Sequence, residues 1–77
     1  MQQQNLEVVQ VSSAAIQTII WDHKNNYMIV KFKDSPLYVY PTVPKSLFDA
    51  FVKAPSKGNF FRTQIKSQHP DFNRLDN

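Results

Sequence analysis

The residues most suited to binding chemistry form one short segment, Ser56-Lys57-Gly58-Asn59, at the start of a predicted helix. A serine hydroxyl, a lysine and the unpaired backbone N–H groups of a helix start attract anions, and the helix dipole adds to this attraction. Gly58 would let a ligand approach the backbone closely. Arg62 and Lys66 follow on the same predicted helix and would supply further positive charge. The plainer alternative is that Ser56 only caps the helix and Gly58 only packs against a neighbouring element.

A second set of candidate residues, Tyr38 and Tyr40, lies in a predicted strand. Side chains at positions i and i+2 share one face of a sheet, so both rings could stack on nucleic-acid bases. Lys31 and Lys33 lie on the preceding strand and would place positive charge nearby. The alternative is that both rings belong to the core beneath the helices, with at least one of them largely buried.

The other ionisable residues do not form a catalytic or metal-binding pattern. No two of the six acidic residues share a strand face or an i, i+4 helix spacing, whereas glycosidase chemistry needs two carboxyls at a fixed separation. The chain has no cysteine and its two histidines are far apart, so three or four metal ligands cannot be chosen. A single glycine excludes the glycine-rich loops that hold nucleotide phosphates. We therefore expect no enzyme activity, no metal site and no cofactor.

Length and charge indicate one small basic domain. A chain of 77 residues is expected to form a single domain over 1–77, with an ordered core of about 6–70 between polar ends. The net charge is +3, and the region 50–70 has no acidic residue but contains Lys53, Lys57, Arg62 and Lys66. Such a surface attracts phosphates, although a solvated helix face would have the same composition. The lack of cysteine, of a signal peptide and of a long apolar run predicts a cytoplasmic protein without a membrane segment.

Hydrophobic periodicity predicts three main strands, a short N-terminal strand and two helices. Residues 16–21, 27–33 and 37–40 are rich in β-branched and aromatic side chains, and 6–11 reads as an edge strand or an ordered arm. A helical apolar stripe precedes Pro55, and a second helix is expected over 57–68. The fold class is therefore α+β: a small antiparallel three- to four-stranded meander followed by two helices packed on one face.

Several short motifs, taken in their order along the chain, resemble the KTSC domain, which is named after the C-terminus of some lysyl-tRNA synthetases. The resemblance covers about 11–70 and rests on Ser13-Ala14-Ala15-Ile16, Ile19-Ile20-Trp21-Asp22, Tyr38-Val39-Tyr40, Val43-Pro44, Ser56-Lys57-Gly58-Asn59-Phe60-Phe61 and Ile65. The chain departs from the family pattern at Ala14, where serine is frequent, at Ile20, where glycine is frequent, and at His69, where tyrosine is common. The resemblance implies a small α+β unit, a candidate binding hydroxyl at Ser13, and RNA binding as the suggested role.

The leading hypothesis is a non-enzymatic module that binds RNA or another phosphate-bearing ligand. Its binding residues would be Ser13, Tyr38, Tyr40, Ser56, Lys57, Gly58, Asn59, Arg62 and Lys66. One alternative is a pocket protein, often a homodimer, that sequesters a small nucleotide signal, as a bacteriophage would use against a host defence. Another is a protein-interaction adaptor that pairs its N-terminal strand with a second chain.

Overall fold

The computed structural model describes residues 5–34 and 36–75, with only the backbone of Leu75. Strands β1 (Leu6–Gln10), β2 (Ile16–Asp22), β3 (Tyr27–Phe32) and β4 (Leu37–Tyr40) come first. Helix α1 (Lys45–Lys53) and helix α2 (Lys57–Phe60) follow, and α2 continues directly into a π-helical segment, Phe61–Lys66, before strand β5 (Asn73–Leu75). The predicted α+β meander followed by two helices is confirmed. No helix among the described residues is long and apolar enough to cross a membrane.

The strands form one antiparallel sheet in the order β1-β2-β3-β4-β5, so strands adjacent in the chain are adjacent in the sheet. Ile19 of β2 lies opposite Val30 of β3, which in turn lies opposite Tyr38 of β4. Because successive side chains of a strand point to opposite faces, these three residues share the face that the helices cover. Short connections join the consecutive strands β1 to β4 in this meander, whereas the segment that contains the helices joins β4 to β5.

The core lies between this face of the sheet and the helices. Phe48 and Phe51 of α1 are fully buried, and Ile65 of the π-helical segment is fully buried with them. The apolar stripe predicted for the first helix therefore covers the sheet, as amphipathic helices do. The other buried hydrophobic residues of this cluster are Ile16, Ile19, Trp21, Met28, Val30, Tyr40 and Val43.

The turn between β2 and β3 is held by the carboxylate of Asp22. Its Oδ1 accepts hydrogen bonds from the backbone N–H groups of Lys24 (2.9 Å) and Asn25 (3.1 Å), and its Oδ2 accepts one from Asn25 Nδ2 (3.0 Å). These bonds, above all those from Asn25, hold the pKa of Asp22 below its ordinary value. Asn26 closes the turn with a φ of 58°, a left-handed conformation that asparagine tolerates better than most residues.

The C-terminal strand β5 was not predicted, because the ordered core was expected to end near residue 70. Arg74 of β5 lies opposite Tyr38 of β4, so the polar segment is held by ladder hydrogen bonds to the edge of the sheet. The ring of Phe72 also packs on Tyr38 and Tyr40, with ring centres 5.4 and 5.7 Å apart. Pairing with an existing sheet edge therefore orders a segment whose own composition is that of a loop.

Candidate functional site

A cavity of about 690 Å³ lies where β3, β4, the π-helical segment and the C-terminal segment meet. Its volume is within the range of small-molecule sites, roughly 300–1,000 Å³. Aromatic and basic side chains dominate its lining, which consists of Ala14, Ala15, Phe32, Lys33, Asp34, Tyr38, Tyr40, Phe61, Lys66, His69, Pro70 and Phe72.

Five aromatic rings in the lining form a continuous network. Phe32 contacts both Tyr38 and Phe61, with ring centres 5.3 and 5.2 Å apart, and the second pair is edge-to-face. Tyr40 meets Phe61 edge-to-face at 5.9 Å. Phe72 extends the network from the C-terminal side but is itself 49% exposed. The network therefore runs from the buried ring of Tyr40, through the partly buried rings of Phe32, Tyr38 and Phe61, to the half-exposed ring of Phe72.

The π-helical turn explains why Phe61 and Lys66 reach the same cavity. In an α-helix, residues five apart are rotated by roughly 140° and face different directions. In a π-helix, residues i and i+5 are joined by the backbone hydrogen bond and lie about one turn apart. Both residues belong to the segment Phe61–Lys66 and both line the cavity, whereas Arg62 lies outside this lining.

The charged residues of the cavity come from two parts of the chain. Lys33 and Asp34 belong to the turn after β3, and Lys66 ends the π-helical segment. His69 lies beside Lys66 in the lining, and its Nδ1 is hydrogen-bonded to Thr42 Oγ1 at 3.0 Å. Among the described lining residues, two lysines against one aspartate give a positive balance before any charge on the histidine is counted.

Tyr40 is 3% exposed, so at least one ring of the tyrosine pair is buried, as expected. Burial, together with the neighbouring Tyr38, raises the pKa of Tyr40 to about 12. The phenol therefore stays protonated at neutral pH and keeps its O–H as a hydrogen-bond donor. Tyr38 is less buried and also lines the cavity.

Ser13 lies beside the cavity and organises one of its walls. Its Oγ accepts hydrogen bonds from the backbone N–H groups of Ala15 and Ile16, both at 3.4 Å. The carbonyl of Ala15 accepts a hydrogen bond from the Lys33 N–H at 2.8 Å, which fixes this wall to the end of β3. Ala14 and Ala15 themselves line the cavity, and Ser13 does not.

The predicted anion site at the start of the second helix has a different arrangement from the one expected. Ser56 Oγ accepts a hydrogen bond from the Asn59 N–H at 3.3 Å, so the serine caps the helix. Lys57 Nζ donates to the Ala54 carbonyl at 2.5 Å, and Arg62 Nη2 donates to Asn59 Oδ1 at 2.8 Å. These cations are held by groups of their own chain.

Gly58 has an ordinary negative φ, and a Cβ built on it would meet nothing within 4 Å. Neither close packing nor an unusual backbone angle requires glycine at this position. Ser56 and Asn59 line a separate depression of about 220 Å³, and neither Lys57 nor Gly58 lines it or the larger cavity. The structure thus brings Tyr38, Tyr40 and Lys66 together and leaves the helix opening apart from them.

Sequence reasoning missed several residues of the cavity. Phe32 and Phe61 follow the alternation of β3 and the inner face of the second helix, so the sequence pattern places both rings but indicates packing rather than binding. Phe72 and Asp34 gave no signal, because each lies in a polar segment whose position depends on the assembled sheet. Within residues 5–34 and 36–75, no group of three or more histidine, aspartate or glutamate side chains could hold a metal ion.

Comparison with known proteins agrees with this architecture. Residues 12–69 match the family model of the KTSC domain. The crystal structure of a KTSC domain protein from Yersinia pestis superimposes with a TM-score of 0.83 and is 30% identical, over 92% of this chain and 99% of that one. A protein of Stutzerimonas stutzeri (strain A1501), described as uncharacterized, is 29% identical over 68 residues, which cover 88% of this chain and 96% of that protein.

Proposed function

This chain belongs to the KTSC domain family, and we propose that it is a non-enzymatic module that binds a nucleotide in the aromatic cavity. The observation that carries the proposal is the meeting of five aromatic rings and three basic side chains around one cavity of about 690 Å³. A nucleotide has the matching chemistry, because its base is a flat apolar ring system and its phosphate is an anion.

The rings supply the affinity for a base. Stacking of a base on an aromatic side chain contributes about 1–3 kcal/mol. Phe72 is the ring best suited to this role, since half of its surface is exposed while its ring centre stays 5.4 Å from that of Tyr38. The buried ring of Tyr40 and the partly buried ring of Phe61, in edge-to-face contact at 5.9 Å, form the inner wall of the site.

Lys66 and His69 supply the attraction for a phosphate. Lys66 is exposed at the end of the π-helical segment, and no hydrogen bond or ion pair to its ammonium group is found within the described residues. Lys57 and Arg62, by contrast, each donate to an oxygen of their own chain. Lys66 can therefore bind an anion without losing an internal contact, which favours the cavity over the helix opening as the phosphate site.

The nucleotide could be one residue of an RNA strand or a free molecule. The resemblance of the sequence motifs to a domain named after lysyl-tRNA synthetases favours RNA as the ligand. The size of the cavity favours a small signalling nucleotide, which a sequestering protein, such as a bacteriophage protein in the cytoplasm of its host, would bind. An RNA strand places several phosphates on the basic surface, so its affinity should fall steeply with salt. A single free nucleotide engages fewer cations and should show a shallow salt dependence.

The test measures binding of nucleoside monophosphates and of a short single-stranded RNA by calorimetry at two salt concentrations. Lys66→Ala should lower the affinity for the ligand that binds by at least about fivefold. The matched control Lys24→Ala should leave the affinity unchanged, because Lys24 is exposed in the turn between β2 and β3, outside the cavity and outside the basic region 50–70. Equal affinity of both variants, or no binding of either ligand class by the native protein, would reject the proposal.

The open edge of β1 supports a second candidate function, which is pairing with another strand. Hydrogen bonds from Val11 N–H to Gln17 O and from His23 N–H to Asn5 O flank the β1–β2 ladder. Because bonded pairs alternate along an antiparallel ladder, the backbone groups of Leu6, Val8 and Gln10 point to the open edge.

The side chains of β1 are compatible with such pairing. Leu6 and Val8 are 45% and 52% exposed, and the one charged residue of the strand, Glu7, faces His23 and Lys45 at 3.4 and 3.6 Å. The edge therefore lacks the lysines and prolines that usually prevent pairing. Sedimentation at rising concentration should detect a dimer that Val8→Pro abolishes and Val8→Thr retains, and a native protein that stays monomeric would exclude self-pairing.

A further inference from the structure

Among the described residues that line the cavity, Asp34 is the one acidic residue, and the others are aromatic, basic or small. We propose that its carboxylate selects guanine as the base of the bound nucleotide, an inference that rests on the proposed function. The side chain is exposed, and no hydrogen bond or ion pair to the carboxylate is found within residues 5–34 and 36–75. The carboxylate is therefore available to a ligand.

A carboxylate accepts hydrogen bonds and does not donate them, so it recognises a pair of N–H groups. Guanine presents two adjacent N–H donors, N1 and N2, on its Watson–Crick edge. Adenine and cytosine place a ring-nitrogen lone pair beside their amino group, and uracil has a single N–H between two carbonyls. A carboxylate facing that edge repels the lone pairs of the other three bases and bonds to both donors of guanine.

The same charge orients the ligand. The charges of Lys33 and Asp34 offset each other in the turn after β3, whereas Lys66 and His69 of the C-terminal region have no acidic neighbour in the described lining, so a phosphate is attracted to the C-terminal side. The base edge would therefore point to the turn and the phosphate to the end of the π-helical segment. The aromatic rings between these two groups, Phe32 and Phe61 among them, would contact the ring system of the base.

A quaternary ammonium ligand is the competing occupant, because aromatic rings with a carboxylate also attract such cations. The charges around the cavity argue against it. Lys33 and Lys66 both line the site, and together they outweigh the one carboxylate. Choline is therefore a useful probe, because it has the cation and lacks both the base and the phosphate.

The experiment compares GMP, AMP, IMP, UMP, CMP and choline by calorimetry with the native protein and with Asp34→Asn. GMP should bind at least about tenfold more tightly than AMP, in line with the discrimination of a bidentate contact, and IMP, which lacks the N2 amino group, should lie between them. Asp34→Asn should remove the preference for GMP, since an amide offers one acceptor and one donor. Asp49→Asn is the matched control: Asp49 lies on α1 and outside the cavity, so this variant should keep the preference for GMP.

The outcomes separate this inference from the function on which it rests. Binding of GMP and AMP with equal affinity, still weakened by Lys66→Ala, would overturn the selection of guanine and leave the nucleotide site standing. A preference for GMP that survives Asp34→Asn would also overturn it. Binding of choline alone, or of none of the six probes, would overturn the nucleotide site itself.

Discussion

Replacement of Phe72 by alanine tests the packing and the binding role of one ring at the same time. The side chain is 49% exposed, so it gains roughly half of the 1.5–3 kcal/mol that full burial gives, or about 1 kcal/mol. Its contacts with Tyr38 and Tyr40, at 5.4 and 5.7 Å between ring centres, contribute about 1 kcal/mol more. Phe72→Ala should therefore lower the free energy of unfolding by about 2 kcal/mol, measured by urea denaturation.

The same variant should bind GMP at least about fivefold more weakly, because loss of one stacked ring removes about 1 kcal/mol or more. Phe72→Leu separates the two effects, since leucine keeps most of the apolar contact and lacks the aromatic face. It should lower the free energy of unfolding by less than about 1 kcal/mol and still weaken GMP binding. Native affinity in Phe72→Leu would refute the stacking role, and unchanged stability in Phe72→Ala would refute the packing.

Three further predictions concern stability and the predicted helix opening. The raised pKa of Tyr40 means that the folded state keeps a phenol proton that the unfolded state releases near pH 10. The free energy of unfolding should therefore fall as the pH rises from about 10 towards about 12, and it should fall less in Tyr40→Phe. Urea denaturation at several pH values measures both. Asn26→Ala should lower the free energy of unfolding by about 1 kcal/mol because of the left-handed φ, and Asn26→Gly should not; equal effects of the two would contradict the turn geometry. Gly58→Ala should raise the melting temperature, because the position is helical and a Cβ there meets no other atom. The variant should bind GMP with native affinity. A loss of affinity would indicate that the ligand binds at the start of α2 instead of in the cavity.

The fold was largely predictable because its signals are local. The alternation in β3 and the apolar stripe of α1 each follow from one element, and both were confirmed. Strand β5 could not be predicted, since its three residues are ordered by the edge of β4 and by the ring of Phe72 rather than by their own composition. Local patterning determines the elements, whereas the last strand depends on the assembled sheet.

The candidate site was predictable in part. Tyr38 and Tyr40 were expected to share a face, and the sheet register agrees, because Tyr38 lies opposite Val30 and Tyr40 opposite Met28. Lys66 was grouped with Arg62 on the assumption of α-helical geometry. The π-helical turn brings Lys66 beside Phe61 instead, and the side chain of Arg62 bonds to Asn59. A change of helix type shifts which side chains converge, and the sequence pattern gave no sign of that change.

Chemical shifts of the backbone amides during titration with GMP test the central claim most directly, because they report the position of binding residue by residue. We expect the largest changes in the cavity, at Lys33, Asp34, Lys66 and Phe72, with the segment 56–59 unaffected. Changes centred on 56–59, or no changes with any nucleoside monophosphate, would contradict a nucleotide site in the aromatic cavity.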